Sequence, residues 1–297
     1  MKRLLFTLFF TLLLHSPANS QTLTDHSGRT IEVKAPFTRI ISLYGAHTEN
    51  LFSLGLNEEI VGVSTSEDYP MAVMEKPAFN ARDGVEKFLA AEPDLILIRP
   101  MLRRGYPGLW AALEKRGITV VSLQPDSVEQ MYDYWRTLGH LTGRELQAEY
   151  MIEDFQEGIS RTEQRLASLT EDRRPGVFFE SIHAKLATFS PGAMPLFVLE
   201  KAGGINVADD ARPRHGTNIA DYGLERLLAR GSRIDVYLAQ YGTMNEVSIP
   251  EIKNGPASSR IKAVLSGNVF LVDEHLVSRP TMRLLQGIEI IYQLLHP

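Results

Sequence analysis

Along the chain, short apolar runs alternate with stretches of helical periodicity. "RIISLYG" (39–45), "EIVGVS" (59–64), "DLILI" (94–98) and "ITVVSL" (118–123) are runs of apolar residues without strict alternation. That is the pattern of strands buried on both faces. "HTENLFSLG" (47–55), the stretch before Asp94 and "GLWAALEKRG" (108–117) read as the helices between them. Strands alternating with helices predict a parallel sheet covered on both sides. Ahead of them, residues 22–38 alternate polar and apolar around Ser27-Gly28 and predict a β-hairpin. From Asp126 the strand signal stops. "SVEQMYDYWRTLGHLTG" and "RELQAEYMIEDFQEGISRTEQRLASL" read as long helices, with Met131, Tyr134, Trp135 and Leu138, then Tyr150, Ile152 and Phe155, at helical spacing and Gly143 as a break or cap. After a polar stretch at 170–176 the alternation resumes. Its strands are "GVFFES" (176–181), "KLATFS" (185–190), "RIDVYLAQ" (233–240) and "NVFLVD" (268–273), and its helices lie at 193–204, 223–231, 258–267 and 281–296.

The expected fold class is therefore α/β: two Rossmann-like lobes with parallel-rich sheets, at 21–125 and 171–297, joined by a long backbone α-helix within 126–170. One phrase occurs in both lobes. "DGVEKFLAAEPDLILI" (83–98) and "YGLERLLARGSRIDVYLA" (222–239) each start at a glycine, place a glutamate two residues on, run as a helix, and end in an aspartate and an apolar strand. The repeat predicts one βα unit in equivalent places, with Glu86 and Glu225 matched.

The N-terminus adds an address. "MKRLLFTLFFTLLLHSPANS" has Lys2 and Arg3, an apolar run from Leu4 to Leu14, and small residues before Gln21. It predicts a secretory signal peptide over 1–20, too short for a membrane span, and a protein located in the periplasm. No cysteine is present anywhere, so no disulfide and no lipid anchor are expected, and burial alone must hold the fold. A formal net charge of −5 argues against a nucleic-acid partner.

At this point the chain resembles the periplasmic binding proteins of ABC importers for iron–siderophore, haem and vitamin B12. The resemblance covers nearly all of residues 21–297. It rests on "TDHSGRTIEV", "RIISLYGAHTENLFSLGLNEEIVGVS", "VEKFLAAEPDLILI", "LGHLTGRELQAE", "KAGGINVA" and "SGNVFLVD", each weak alone and fairly specific in this order. The resemblance implies a monomer that carries no cofactor, holds a small-molecule metal chelate between its lobes, and delivers it to an ABC permease and its ATPase. It also implies that Glu86 and Glu225 dock on arginine pockets of the permease, one per lobe, which explains the repeat. Taken alone, both residues read as solvated helix glutamates.

Ligands of open α/β sheets bind off the carboxyl ends of the strands. The segments expected to line a cleft are 44–50, 66–70, 99–106 (read as an arginine-rich loop), 181–185, 211–216, 240–245 and 275–283. Three of them carry Arg-Pro followed by more arginine: Arg99 with Arg103 and Arg104, Arg212 with Arg214, and Arg279 with Arg283. Positive charge gathered there in an acidic chain points to a bulky anionic chelate, a ferric siderophore first, then cobalamin, then haem. Tyr44, Tyr69, Tyr106 and Tyr241 add aromatic walls or a metal-facing phenolate. His47, His183 and His215 fall in the same segments; together with an acid they would form a site for a free Zn or Mn ion, but nothing local makes three or four ligands converge and no metal site is assigned. An enzyme on the same architecture, a metal-inserting chelatase, is the alternative class. No G-x-S-x-G, H-E-x-x-H, P-loop or G-x-G-x-x-G accompanies it, and a non-enzymatic binding role is expected.

Overall fold

A computed structural model describes residues 21–297 apart from 171–172, 215–216 and 257. The segment read as a signal peptide, and His215, lie outside the described residues. The chain opens with an antiparallel hairpin, β1 (Gln21–Thr24) and β2 (Thr30–Val33), as the alternation required. There follow β3 (Ile40–Ser42), α1 (Gly45–Ser53), β4 (Ile60–Ser64), β5 (Ala78–Phe79), α2 (Val85–Ala90), β6 (Leu95–Ile98), α3 (Pro100–Gly105), α4 (Pro107–Glu114) and β7 (Thr119–Ser122). These five strands form one parallel sheet in the order β5-β4-β3-β6-β7. All four residues of β6 are buried, which is why that strand is an unbroken apolar run.

Two helices cross out of the first lobe. Ser127 accepts the amide of Gln130 at the start of α5 (Val128–Thr142), and Gly143, at φ 66°, ends it in the left-handed conformation that costs glycine least. α6 (Glu145–Leu166) runs on for 22 residues. Tyr134, Trp135 and Leu138 on α5 and Ala148, Ile152 and Phe155 on α6 are buried at helical spacing. Trp135 and Phe155 meet edge-to-face at 5.5 Å.

The second lobe contains β8 (Gly176–Glu180), β9 (Thr188–Phe189), α7 (Met194–Lys201), β10 (Ile205–Asn206), β11 (Arg212–Pro213), β12 (Ile219–Asp221), α8 (Leu224–Arg230), β13 (Val236–Tyr241), α9 (Ile249–Lys253), α10 (Lys262–Leu265), β14 (Val269–Asp273), α11 (Glu274–Val277) and α12 (Leu284–Leu295). Its parallel sheet has the order β10-β8-β13-β14. The first lobe's β4-β3-β6-β7 has the same order, so α2 and α8, which precede β6 and β13, occupy equivalent places. The repeated aspartate is explained too. Asp94 accepts the amides of Thr38 and Arg39 beside β3, and Asp235 accepts that of Gly176 at the start of β8. Each ties its strand to the neighbour.

Three expectations are corrected. "KLATFS" does not extend the parallel sheet: only Thr188–Phe189 is strand, in a separate antiparallel sheet β11-β12-β9. Residues 258–267 are not one helix but a 3₁₀ turn at Ser258–Arg260 and then α10, parted at Ile261. The arginine segment 99–106 is mostly helical, because Pro100 at the first position of α3 fixes a helical φ and lacks only an amide that would be unpaired there anyway.

Candidate functional site

The carboxyl ends of β3, β4, β5 and β6 open onto a polar pocket of about 290 Å³ in the first lobe. Ser64, Ser66, Asn80, Arg82, Arg99 and Tyr106 are among its lining residues. Arg99 caps the start of α3, and its guanidinium lies 4.5 Å from the centroid of the Tyr44 ring. Its Nε is buried and has no hydrogen-bond partner. Arg82 is exposed, and its Nε donates to the Tyr106 hydroxyl at 3.4 Å. Among the described residues neither cation has a carboxylate partner. Burial pushes the Tyr44 phenol up, against the pull of Arg99 and Arg279, which disfavours a phenolate, and Tyr44 is absent from the pocket lining.

Between the lobes the charges are paired. Glu49, on α1, is buried, and its Oε1 accepts Arg279 Nη1 at 2.7 Å and Arg283 Nη1 at 3.5 Å from the segment after α11. Asp68 adds contacts of 3.7 Å to Arg279 and 3.3 Å to His275. Arg283 stacks 4.3 Å from the centroid of the exposed Tyr69 ring. The backbone carbonyl of Pro280, beside Arg279, accepts Asn50 Nδ2 at 3.0 Å and Trp135 Nε1 at 3.2 Å. The 278–283 segment is thus anchored to the first lobe and to α5. Glu67, bonded to Ser64 Oγ at 2.6 Å, has its carboxyl pushed up to about 7, chiefly by burial.

The second lobe's wall is held by its own backbone. Glu274 accepts the amides of Thr243 and Met244 at 3.0 and 3.2 Å, and Asn245 links Gln240 to the amide of His183. Tyr241, the last residue of β13, is exposed beside this loop. His183 donates its Nδ1 proton to Glu180, which is fully buried and also takes the Tyr237 hydroxyl. That carboxylate raises the His183 pKa.

Several expected cleft residues serve elsewhere. His47 lies on the buried face of α1, bonded to the Tyr134 hydroxyl at 2.7 Å and to the Ile98 carbonyl at 3.2 Å; burial lowers its pKa to about 3. It is a neutral core histidine and does not reach the cleft. Arg103 spans α3 to α4, donating to Glu114 and to the Val120 carbonyl, each at 2.8 Å, and is structural. Arg104 is exposed on α3 and absent from the pocket lining. Arg212 is exposed on β11, and Arg214 is paired with Asp221. Among the described residues no group of three or more His, Cys, Asp or Glu is placed to hold a metal ion. Glu86 and Glu225 are exposed in the first turns of α2 and α8, each two residues past a glycine N-cap. Glu49 and Glu67 fall in strand-end segments expected at the cleft but are not among the residues singled out there, and Arg82 lies outside every expected segment.

Two lobes of like topology, a fixed helical connection and a charged seam between the strand ends define a solute-capturing protein. The chain belongs to the periplasmic binding protein family, whose model matches residues 40–276. It is 24% identical over 279 residues to an uncharacterized ABC transporter substrate-binding lipoprotein of Bacillus subtilis, covering 93% of this chain and 85% of that one. It is 24% identical over 260 residues to the vitamin B12-binding protein of Vibrio cholerae, covering 86% and 87%. A solved structure of a possible iron-binding, periplasmic solute-binding protein from Staphylococcus epidermidis is similar with a TM-score of 0.76 at 27% identity, covering 89% of this chain and all of that one. No helix among the described residues is long and apolar enough to cross a membrane.

Proposed function

We propose that this protein captures an anionic metal chelate, a ferric siderophore first, between its lobes and delivers it to an ABC permease and ATPase, docking through Glu86 and Glu225. The observation that carries this reading is the polar pocket in which Arg82 and Arg99 stand without carboxylate partners among the described residues. Two such cations at the ends of parallel strands favour an acidic ligand group, Tyr106 supplies flat aromatic surface for it, and Tyr44 backs Arg99. A pocket of about 290 Å³ takes one arm of a chelate; the rest reaches the opposite lobe. Exposed docking glutamates contribute little affinity singly and set orientation as a separated pair. The Vibrio cholerae relative favours a second reading, cobalamin as ligand in the same role.

Fluorescence titration tests the ligand. Trp135 touches the segment that joins the lobes and is the reporter. Saturable, salt-sensitive quenching by ferric catecholate, hydroxamate or citrate complexes is expected. Tight binding of cobalamin or haem alone would overturn the siderophore reading.

A further inference from the structure

The seam where α1 meets the 278–283 segment is built like an anion site, and the anion in it belongs to the protein. Arg279 lies flush against the first residue of α1: a Cβ on Gly45 would stand 2.5 Å from Arg279 Nη1. The amide end of that nine-residue helix already concentrates positive potential there. Arg283 also reaches Glu49, and Arg99 and Arg279 both act on the Tyr44 phenol beside it. Glu49 answers this charge with one oxygen only. Both ion pairs use Oε1, while Oε2 is buried and has no partner. Arg283 Nε is likewise buried and unpartnered, and so is Glu67 Oε2 beside them. A cluster optimised for a resting ion pair would satisfy these atoms.

Resting on the anionic-ligand reading above, we propose that Glu49 is a built-in competitor for the ligand's acidic group. In the empty protein it occupies Arg279 and Arg283 and clasps the second lobe to the first. A ligand with enough negative charge takes over guanidinium donors that Glu49 now holds. Glu49 thereby caps affinity: weak monoanions are refused, polyanionic chelates are accepted, and the cargo stays loose enough to be released. Asp68, on the rim and 3.7 Å from Arg279, does the same more weakly.

Two measurements on Glu49→Gln and Gly45→Ala test the competitor. Glutamine keeps the shape and removes the charge; an alanine methyl at 45 pushes Arg279 off Glu49 while suiting the helix. The first measurement uses no ligand: hydrogen exchange across 278–284 is expected to quicken in both variants. Unchanged exchange would mean that the ion pair clasps nothing, and the proposal falls. The second measures affinity for trianionic ferric tris-catecholate. Glu49→Gln is expected to bind it about tenfold tighter, within the usual range of coupling between sites. Equal or weaker binding overturns the competitor and makes Glu49 a mere support. If the wild type binds no anionic chelate, the siderophore reading fails separately. Inorganic phosphate then serves as probe: binding gained by Glu49→Gln upholds the competitor, and none gained sinks it.

Discussion

The two walls of the cleft are built from the same strand order and treat positive charge in opposite ways. In the first lobe Arg82 and Arg99 face a polar pocket, with Tyr106 and Tyr44 against them and no carboxylate among the described residues. In the second, Arg214 is spent on Asp221, and Arg279 and Arg283 are spent on Glu49 of the other lobe. Equal topology does not give equal chemistry. The sheet decides where strand ends meet the cleft, and the loops decide whether a cation there is available. On the outer surface the lobes stay alike, with Glu86 and Glu225 at matching helix starts.

Reversing both outer glutamates, Glu86→Arg with Glu225→Arg, sharpens the likeness most. Uptake into cells carrying the cognate permease is expected to be lost, with chelate affinity unchanged, and each single reversal should cost a similar share. Lost affinity would show that these residues serve the cleft and not docking. A smaller effect divides the inner walls. Arg82→Ala with Arg99→Ala should weaken ferric tris-catecholate binding by roughly 10- to 100-fold, about 1.4–2.8 kcal/mol. Arg214→Ala should leave it within about twofold, since that guanidinium is paired at the surface. Equal losses would erase the contrast drawn here. The mildest test concerns Glu67, whose carboxyl is pushed up to about 7. A raised carboxylate favours the folded state while protonated. That contribution is complete below the unfolded value of 4.5 and is lost as pH rises through about 7. Denaturant melts at pH 5 and pH 8 should therefore show Glu67→Gln removing about 2 kcal/mol of this decline. An unchanged pH dependence would place the titration elsewhere.

The sheets were legible because their strands are buried on both faces and therefore spelled as apolar runs; the connecting helices were legible through Trp135, Leu138, Ile152 and Phe155. Strands of two or three residues, such as β5, β10, β11 and β12, were not, since pairing and not local pattern makes them strands. His47 reads as facing the cleft, yet it stands four before Leu51 and so belongs to the buried stripe of α1, a spacing that could have revealed it. Pro100 likewise announced a helix start where a loop was expected. Glu49 was out of reach: a glutamate on a helix reads as solvated, and only the arrival of Arg279 from 230 residues away makes it a buried counter-ion.

The connection between the lobes has a consequence for how the molecule comes apart. One apolar cluster runs from Ile40 and Leu97 through Trp135 and Phe155 to Val177, Leu238 and Ile291. The two lobes therefore share a core that neither encloses alone. Severing the chain near Gly143 would leave each fragment with a bare apolar face beside the smaller cluster it keeps for itself, and a single calorimetric transition is expected for the intact protein. The cleft can move only as far as that common core allows, because separating the lobes fully would expose it.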